Sequence, residues 1–157
     1  MDRSPLTFEM DAPDVSLTFP SGEFAVRNAL AAVLSGLQFL NLDAEERGTI
    51  ELVLAEVLNN VVEHAYGAQT PGWIEVACAH RPDGLHFVIR DEGQELPEGA
   101  LPVGNLPEFG DAIDALPEGG FGWFLIQDLA KDVVYRRNGG RNILTLRICV
   151  CKSPTQN

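Results

Sequence analysis

The sequence predicts a two-layer α+β fold, with helices packed on one face of a mixed, mostly antiparallel sheet. Three observations carry this. Segments with strand-like alternation flank segments with helical spacing. Two strand pairs are joined by short turns, which only antiparallel neighbours allow. The order strand, helix, helix, strand, strand, long loop, helix, strand, strand gathers the helices beside one sheet.

The elements follow in chain order. Leu6 to Met10 and Val15 to Phe19 alternate apolar and polar around Asp11-Ala12-Pro13-Asp14, an N-terminal strand or hairpin. Ser21 is placed to cap a first helix, on which Phe24, Leu30, Ala31, Leu34 and Leu37 recur at helical spacing. Asn41-Leu42 ends it. Asp43, with Glu46 three residues later, forms a capping-box signature for a second helix. That helix runs through Ile50, Leu54, Val57, Leu58, Val61 and Ala65 to a stop at Gly67. Trp73 to Ala79 and Leu85 to Arg90 read as strands around the turn Arg81-Pro82-Asp83-Gly84.

From about residue 92 to 120 the chain changes character. Pro97, Pro102, Pro107 and Pro117 alternate with Gly93, Gly99, Gly104 and Gly110. A loop this long within a compact domain is usually functional, often a lid. Helical spacing resumes from Phe121 to Leu129. Val133 to Arg137 and Ile143 to Val150 close the chain as a hairpin around Asn138-Gly139-Gly140.

The 157 residues suit one domain spanning 1–157. With 45% hydrophobic and 22% charged residues the composition is that of a globular protein. No stretch approaches the roughly 20 apolar residues of a spanning helix, and the start has no signal-peptide pattern. A cytoplasmic protein without membrane association is expected. Eleven basic against 23 acidic residues give a net charge of −12. Nucleic acid is therefore not an expected partner, since binding it takes clustered Lys and Arg. Three cysteines, Cys78, Cys149 and Cys151, are too few and odd in number for a disulfide framework. They read as small buried hydrophobes, with Cys149 and Cys151 on one face of the last strand.

Chemistry concentrates in three places. Glu56, Asn60 and His64 lie four apart and would stack along one edge of the second helix. Asn is a poor residue for a helix interior, so its presence there calls for a reason other than helix formation. Asp91, at a strand end, is placed to accept a hydrogen bond from an exocyclic amine, and Gly93 lets a flat ring approach the backbone. Gly119-Gly120-Phe121-Gly122 leads into a helix, where free N–H groups and the helix dipole favour phosphate. Taken singly, these are also a solvated helix edge, a turn and a hinge. The glycine segment is neither a Walker A loop nor a dinucleotide fingerprint.

Their order is more specific. Leu54 to Gly67, with Glu56, Asn60 and His64-Ala65-Tyr66-Gly67, resembles the N-box of the ATPase superfamily that includes gyrase, the histidine kinases and a mismatch-repair protein. Asp91-x-Gly93 and Gly119 to Ile126 resemble its two glycine boxes. The short length and the ending Asn138 to Leu146 look like the bacterial anti-sigma-factor serine kinases. The resemblance covers roughly residues 20 to 148.

It implies a histidine-kinase-like ATP-binding fold, ATP and Mg²⁺ as cofactors, and protein-serine kinase activity. Glu56 matches the general base and Asn60 the magnesium ligand. Asp91 matches the adenine-reading acid and Gly93 its neighbour at the ring. Gly119, Gly120, Phe121 and Gly122 match the lid hinge and phosphate loop. Thr145 falls where the family places a hydroxyl beside the adenine-reading acid, and His64 near the phosphates. The implied partners are an anti-anti-sigma protein carrying the target serine and a sigma factor or similar regulator, with Arg27 near a partner-binding arginine and a homodimer as the assembly. A histidine-kinase reading is disfavoured, since no helical segment carries a phosphoacceptor histidine. Two departures stand out: Trp123 replaces a smaller aliphatic residue, and no Lys or Arg occurs between Asp91 and Lys131. The second leaves an alternative, an ATP-gated interaction module with little or no transfer.

Overall fold

The computed structural model describes residues 10, 12–22, 24–66, 72–96 and 120–151. Among these residues five strands form one sheet: β1 (Val15–Pro20), β2 (Trp73–Arg81), β3 (Gly84–Asp91), β4 (Lys131–Asn138) and β5 (Arg141–Ile148). Their spatial order is β1-β2-β3-β5-β4. Every neighbouring pair is antiparallel, so the expected mixed sheet is antiparallel throughout. Among the described residues three α-helices accompany it: α1 (Ala25–Gly36), α2 (Ala44–Asn60) and α3 (Gly120–Leu129). α2 packs between the other two. The α+β expectation holds.

Alternation along the strands builds the core. Val76, Cys78, Phe87, Ile89, Leu144 and Leu146 all occupy the face that meets Val53, Leu54, Val57 and Leu58 of α2. Burial of such side chains contributes about 1.5–3 kcal/mol each. The turn between β2 and β3 is short because Arg81 pairs with Gly84. Only glycine fits at 84: its φ is +129°, and a Cβ would meet the Ile148 carbonyl oxygen at 2.6 Å. The β4–β5 turn uses Gly139 and Gly140, both at positive φ, as a tight hairpin requires.

The capping box is present. Glu46 N–H donates to Asp43 Oδ1 at 2.8 Å, and Asp43 N–H donates to Glu46 Oε1 at 3.1 Å. Ser21 behaves differently from expectation. It lies four residues before Ala25 and accepts from Gly72 N–H at 2.8 Å, tying the end of β1 to the start of β2. A 3₁₀ turn, Gln38–Leu40, follows α1 and ends at Asn41 in the left-handed region. β5 stops at Ile148, so Cys149 and Cys151 lie beyond the strand and are exposed; of the three thiols only Cys78 is buried. Burial pushes the Cys78 thiol well above its ordinary value. Leu6 to Phe8 and Glu9, Gly67, and 97–119 of the expected lid lie outside the described residues.

Candidate functional site

The crossover from β3 to β4, followed by the return of β5 between them, places the end of β3 beside the start of β5. Asp91 pairs with Asn142. Both are buried, at 5% and 6% exposure. Asn142 Nδ2 donates to Asp91 Oδ1 at 2.7 Å, and Gly93 N–H donates to the same oxygen at 2.9 Å. Asp91 Oδ2 is therefore the acceptor left over among the described residues. Burial raises the Asp91 pKa from its ordinary value, opposed by the Asn142 and Gly93 hydrogen bonds and the nearby Arg137 charge.

Asp91 and Asn142 form part of a cavity with Val57, Asn60, Ile89, Leu96, Trp123, Tyr135 and Leu144. Its volume is about 30 Å³, enough for about one water. An apolar wall with a few convergent polar groups is what a small-molecule site looks like.

Asn60 is buried at the end of α2. Its Nδ2 donates to the Glu56 backbone carbonyl at 2.7 Å. Only the nitrogen end of the amide can donate, so Oδ1 is the end left for a ligand. A hard amide oxygen suits Mg²⁺, which takes much of its shell from water and phosphate. Among the described residues no three His, Cys, Asp or Glu side chains gather as a metal cage. Glu56 lies one helical turn earlier and is half-buried. Its Oε2 sits so close to Gly122 of α3 that a Cβ there would overlap it, and the same Cβ would lie 3.7 Å from Asn60 Nδ2. Glu56, Asn60 and Gly122 are thus one cluster at the α2–α3 junction.

Beyond Asn60 the helix widens into a π turn, Val61–Tyr66. Such turns interrupt α-helical register and often mark functional sites. The regular file expected from Glu56 through His64 therefore extends only to Asn60. The His64 and Phe121 side chains and all of Gly119 are outside what the structure describes. Gly120 opens α3.

Thr145 is a correction. The register sets it opposite Val88, three residues from Asp91 along β3. Side chains alternate across a strand, so Thr145 shares the far face with Arg90 and Val88, and Asn142 is the residue beside Asp91. Sequence reasoning missed Asn142, and with it Tyr135 and Arg137. A register counted from the β4–β5 turn pairs Arg137 with Asn142 and Tyr135 with Leu144, but only the β3–β5 register brings them to Asp91. Arg27 is exposed and lines a groove between α1 and α2 of about 630 Å³, with Leu30, Leu34, Arg47 and Glu51.

Comparison with known proteins fits this geometry. The histidine kinase-like ATPase domain matches residues 19–148. The serine-protein kinase RsbW of Halalkalibacterium halodurans is 30% identical over 141 residues, 88% of this chain and 80% of that protein. The chain belongs to the histidine kinase-like ATPase family, among the RsbW-type serine-protein kinases. The RsbW kinase of Bacillus velezensis is 26% identical over 117 residues, 73% of this chain and 71% of that protein. A crystal structure of the RsbU and RsbW domains of Rv1364c from Mycobacterium tuberculosis shares the fold, with a TM-score of 0.58 at 18% identity. That match covers 91% of this chain, which spans about a third (35%) of the longer one. No helix among the described residues is long and apolar enough to cross a membrane.

Proposed function

We propose that this chain is an ATP- and Mg²⁺-dependent protein-serine kinase. Its substrate is a serine on an anti-anti-sigma partner, and its other partner is a sigma factor or similar regulator that it sequesters. One observation carries the reading: a buried carboxylate, Asp91, with one oxygen that takes no hydrogen bond among the described residues, lines an apolar cavity together with Asn60, the neighbour of Glu56.

The roles follow from the chemistry of each group. Asp91 Oδ2 accepts a hydrogen bond from the adenine amine. Asn60 Oδ1 holds Mg²⁺, which when bound neutralises charge on the phosphate oxygens. Glu56 takes the proton from the attacking serine hydroxyl as its oxygen bonds to the γ-phosphorus and the β–γ bridging bond breaks. Close packing against Gly122 holds that carboxylate in place. Gly120 and Phe121, at the start of α3, present backbone to the phosphates, and a phosphate-contacting role is assigned to Gly119 and His64 as well. Arg27, at the mouth of the α1–α2 groove, contacts a partner. β1 has a neighbour on one side only among the described residues, and pairing of two such edges offers a route to a homodimer.

The test incubates the protein with γ-labelled ATP, Mg²⁺ and a candidate anti-anti-sigma protein. Label on serine is the expected result, and saturating MgATP raises the melting temperature. No shift and no calorimetric heat would remove the nucleotide reading. A second reading, an ATP-gated interaction module, is favoured by one observation: the sequence between Asp91 and Lys131 holds no Lys or Arg to stabilise a transferring phosphoryl group. MgATP binding with no label on any partner selects it.

A further inference from the structure

Asn142 is held by four hydrogen bonds. Its Nδ2 donates to Asp91 Oδ1 at 2.7 Å and to the Gln94 carbonyl at 2.8 Å. Its Oδ1 accepts from Tyr135 Oη at 2.5 Å and from an Arg137 guanidinium nitrogen at 2.9 Å. An amide has two N–H donors and two acceptor lone pairs, so its capacity is filled. The orientation is also fixed. Arg137 can only donate and an ionised Asp91 can only accept, so a flipped amide would face both with the wrong group.

The same three side chains grip the segment that follows β3. Arg137 donates to the Gly93 carbonyl at 2.6 Å, Asn142 to the Gln94 carbonyl, and Leu96 N–H donates to Tyr135 Oη at 3.1 Å. Tyr135 Oη therefore gives its one proton to Asn142 and receives one from Leu96. Nothing in the network faces Asp91 Oδ2.

We propose that Tyr135 and Arg137 lock the Asn142 amide so that it occupies Asp91 Oδ1, which makes Oδ2 a single, directed acceptor that selects a purine bearing an exocyclic amine over one bearing a carbonyl. Asn142, Tyr135 and Arg137 are positioning residues: they act on the base through Asp91 and through the wall formed by residues 93–96. This inference rests on the nucleotide reading given above and goes beyond it by naming what sets base selectivity. Releasing the amide lets it rotate and turn an N–H toward a carbonyl on the base, and frees Asp91 Oδ1 to compete with Oδ2 for a donor.

The experiment compares the full chain with Tyr135→Phe, Asn142→Ala and the double variant. Binding of ATP and of inosine triphosphate, which carries a carbonyl in place of the adenine amine, is measured by calorimetry in the presence of Mg²⁺. Melting curves check that each variant folds. The parent is expected to favour ATP. Tyr135→Phe, which keeps the ring and removes one hydroxyl, is expected to reduce that preference on the order of tenfold, the scale of one lost hydrogen bond to a charged network. Tyr135 acts through Asn142, so the double variant is expected to discriminate no worse than Asn142→Ala alone. A merely structural role would lower the melting temperature and leave the ratio unchanged. Parent-like discrimination in Tyr135→Phe, or additive losses in the double variant, would overturn the inference while leaving nucleotide binding intact. Failure of the parent to bind MgATP would overturn the nucleotide reading and this inference with it. If Asn142→Ala does not fold, Tyr135→Phe alone decides.

Discussion

Gly122→Ala tests the join between α2 and α3. The added methyl would overlap Glu56 Oε2 and come within 3.4 Å of Glu56 Cδ, with Asn60 Nδ2 at 3.7 Å. The obstructing atom is the far end of a flexible, half-buried side chain, so the carboxylate moves rather than the helix. Driving it off its rotamer costs about 0.5–1.5 kcal/mol. Against this, alanine is favoured over glycine in a helix by about 0.8–1.0 kcal/mol. The two nearly cancel, and stability should change by less than about 1 kcal/mol. Function should not be spared, because a base displaced by about an ångström loses on the order of 10²-fold in rate. The assay is a double-mutant cycle with Glu56→Ala, read by denaturant unfolding and by label transfer to the partner serine. With Glu56 truncated the overlap is gone, so Gly122→Ala should then stabilise by about 0.8–1.0 kcal/mol. Transfer should not fall further than Glu56→Ala alone takes it, about 10²–10⁴-fold below the parent. If Gly122→Ala transfers at the parent rate, or its stability effect is the same in both backgrounds, Glu56 is not positioned by this contact.

Four further outcomes are expected. Asp91→Asn should weaken ATP strongly and bring GTP closer to it, since an amide turns a donor toward the cavity; competition binding of the two nucleotides checks this. Burial raises the Asp91 pKa, so in the free protein Asp91 opposes folding while ionised and ceases to as pH falls through that raised value. ATP affinity should be lost over the same interval, above the usual carboxylate range of about 3.9, and a pH series of titrations reads it. Asn60→Ala should lose Mg²⁺-dependent nucleotide binding before anything else, and binding measured with and without Mg²⁺ should then coincide. Trp123 is 6% exposed and lines the cavity, whereas Trp73 is 63% exposed. In Trp73→Phe the remaining indole should change its emission when MgATP enters, and an unchanged spectrum at saturation would mean that the base binds elsewhere.

Much of this arrangement is legible in the residue order, for physical reasons that differ from element to element. The capping box at Asp43 and Glu46 is a local contract between neighbours, and it forms as written. The strand periods around Phe87 and Leu146 survive because a slip of one residue would turn the core face outward. Cys149 and Cys151 continue the apolar run of β5, yet the pairing with β3 ends at Leu85–Ile148, and no pattern within the run marks that limit. The π turn after Asn60 is equally silent in the sequence, since its apolar spacing fits an unbroken helix. Thr145 and Asn142 differ by three positions, and only the register between β3 and β5 tells which one faces Asp91. That Glu56 and Asn60 share one helix edge follows from their local spacing, whereas a neighbour fixed by pairing across 51 positions, as Asn142 is to Asp91, cannot be read locally.

The insertion of β5 between β3 and β4 also has a consequence for how the chain is made. β3 gains its second neighbour only when residues 141–148 arrive, and β4 cannot serve in its place because it pairs with β5 alone. During synthesis at about 5–20 residues per second, β3 therefore waits several seconds with one hydrogen-bonding edge open and Leu85, Phe87 and Ile89 incompletely covered. An edge of that kind invites pairing with other chains. The pairing that relieves it joins Asp91 to Asn142. The last long-range closure of the sheet and the completion of the base pocket are one event, so nucleotide binding to nascent or truncated chains would report on the arrival of β5.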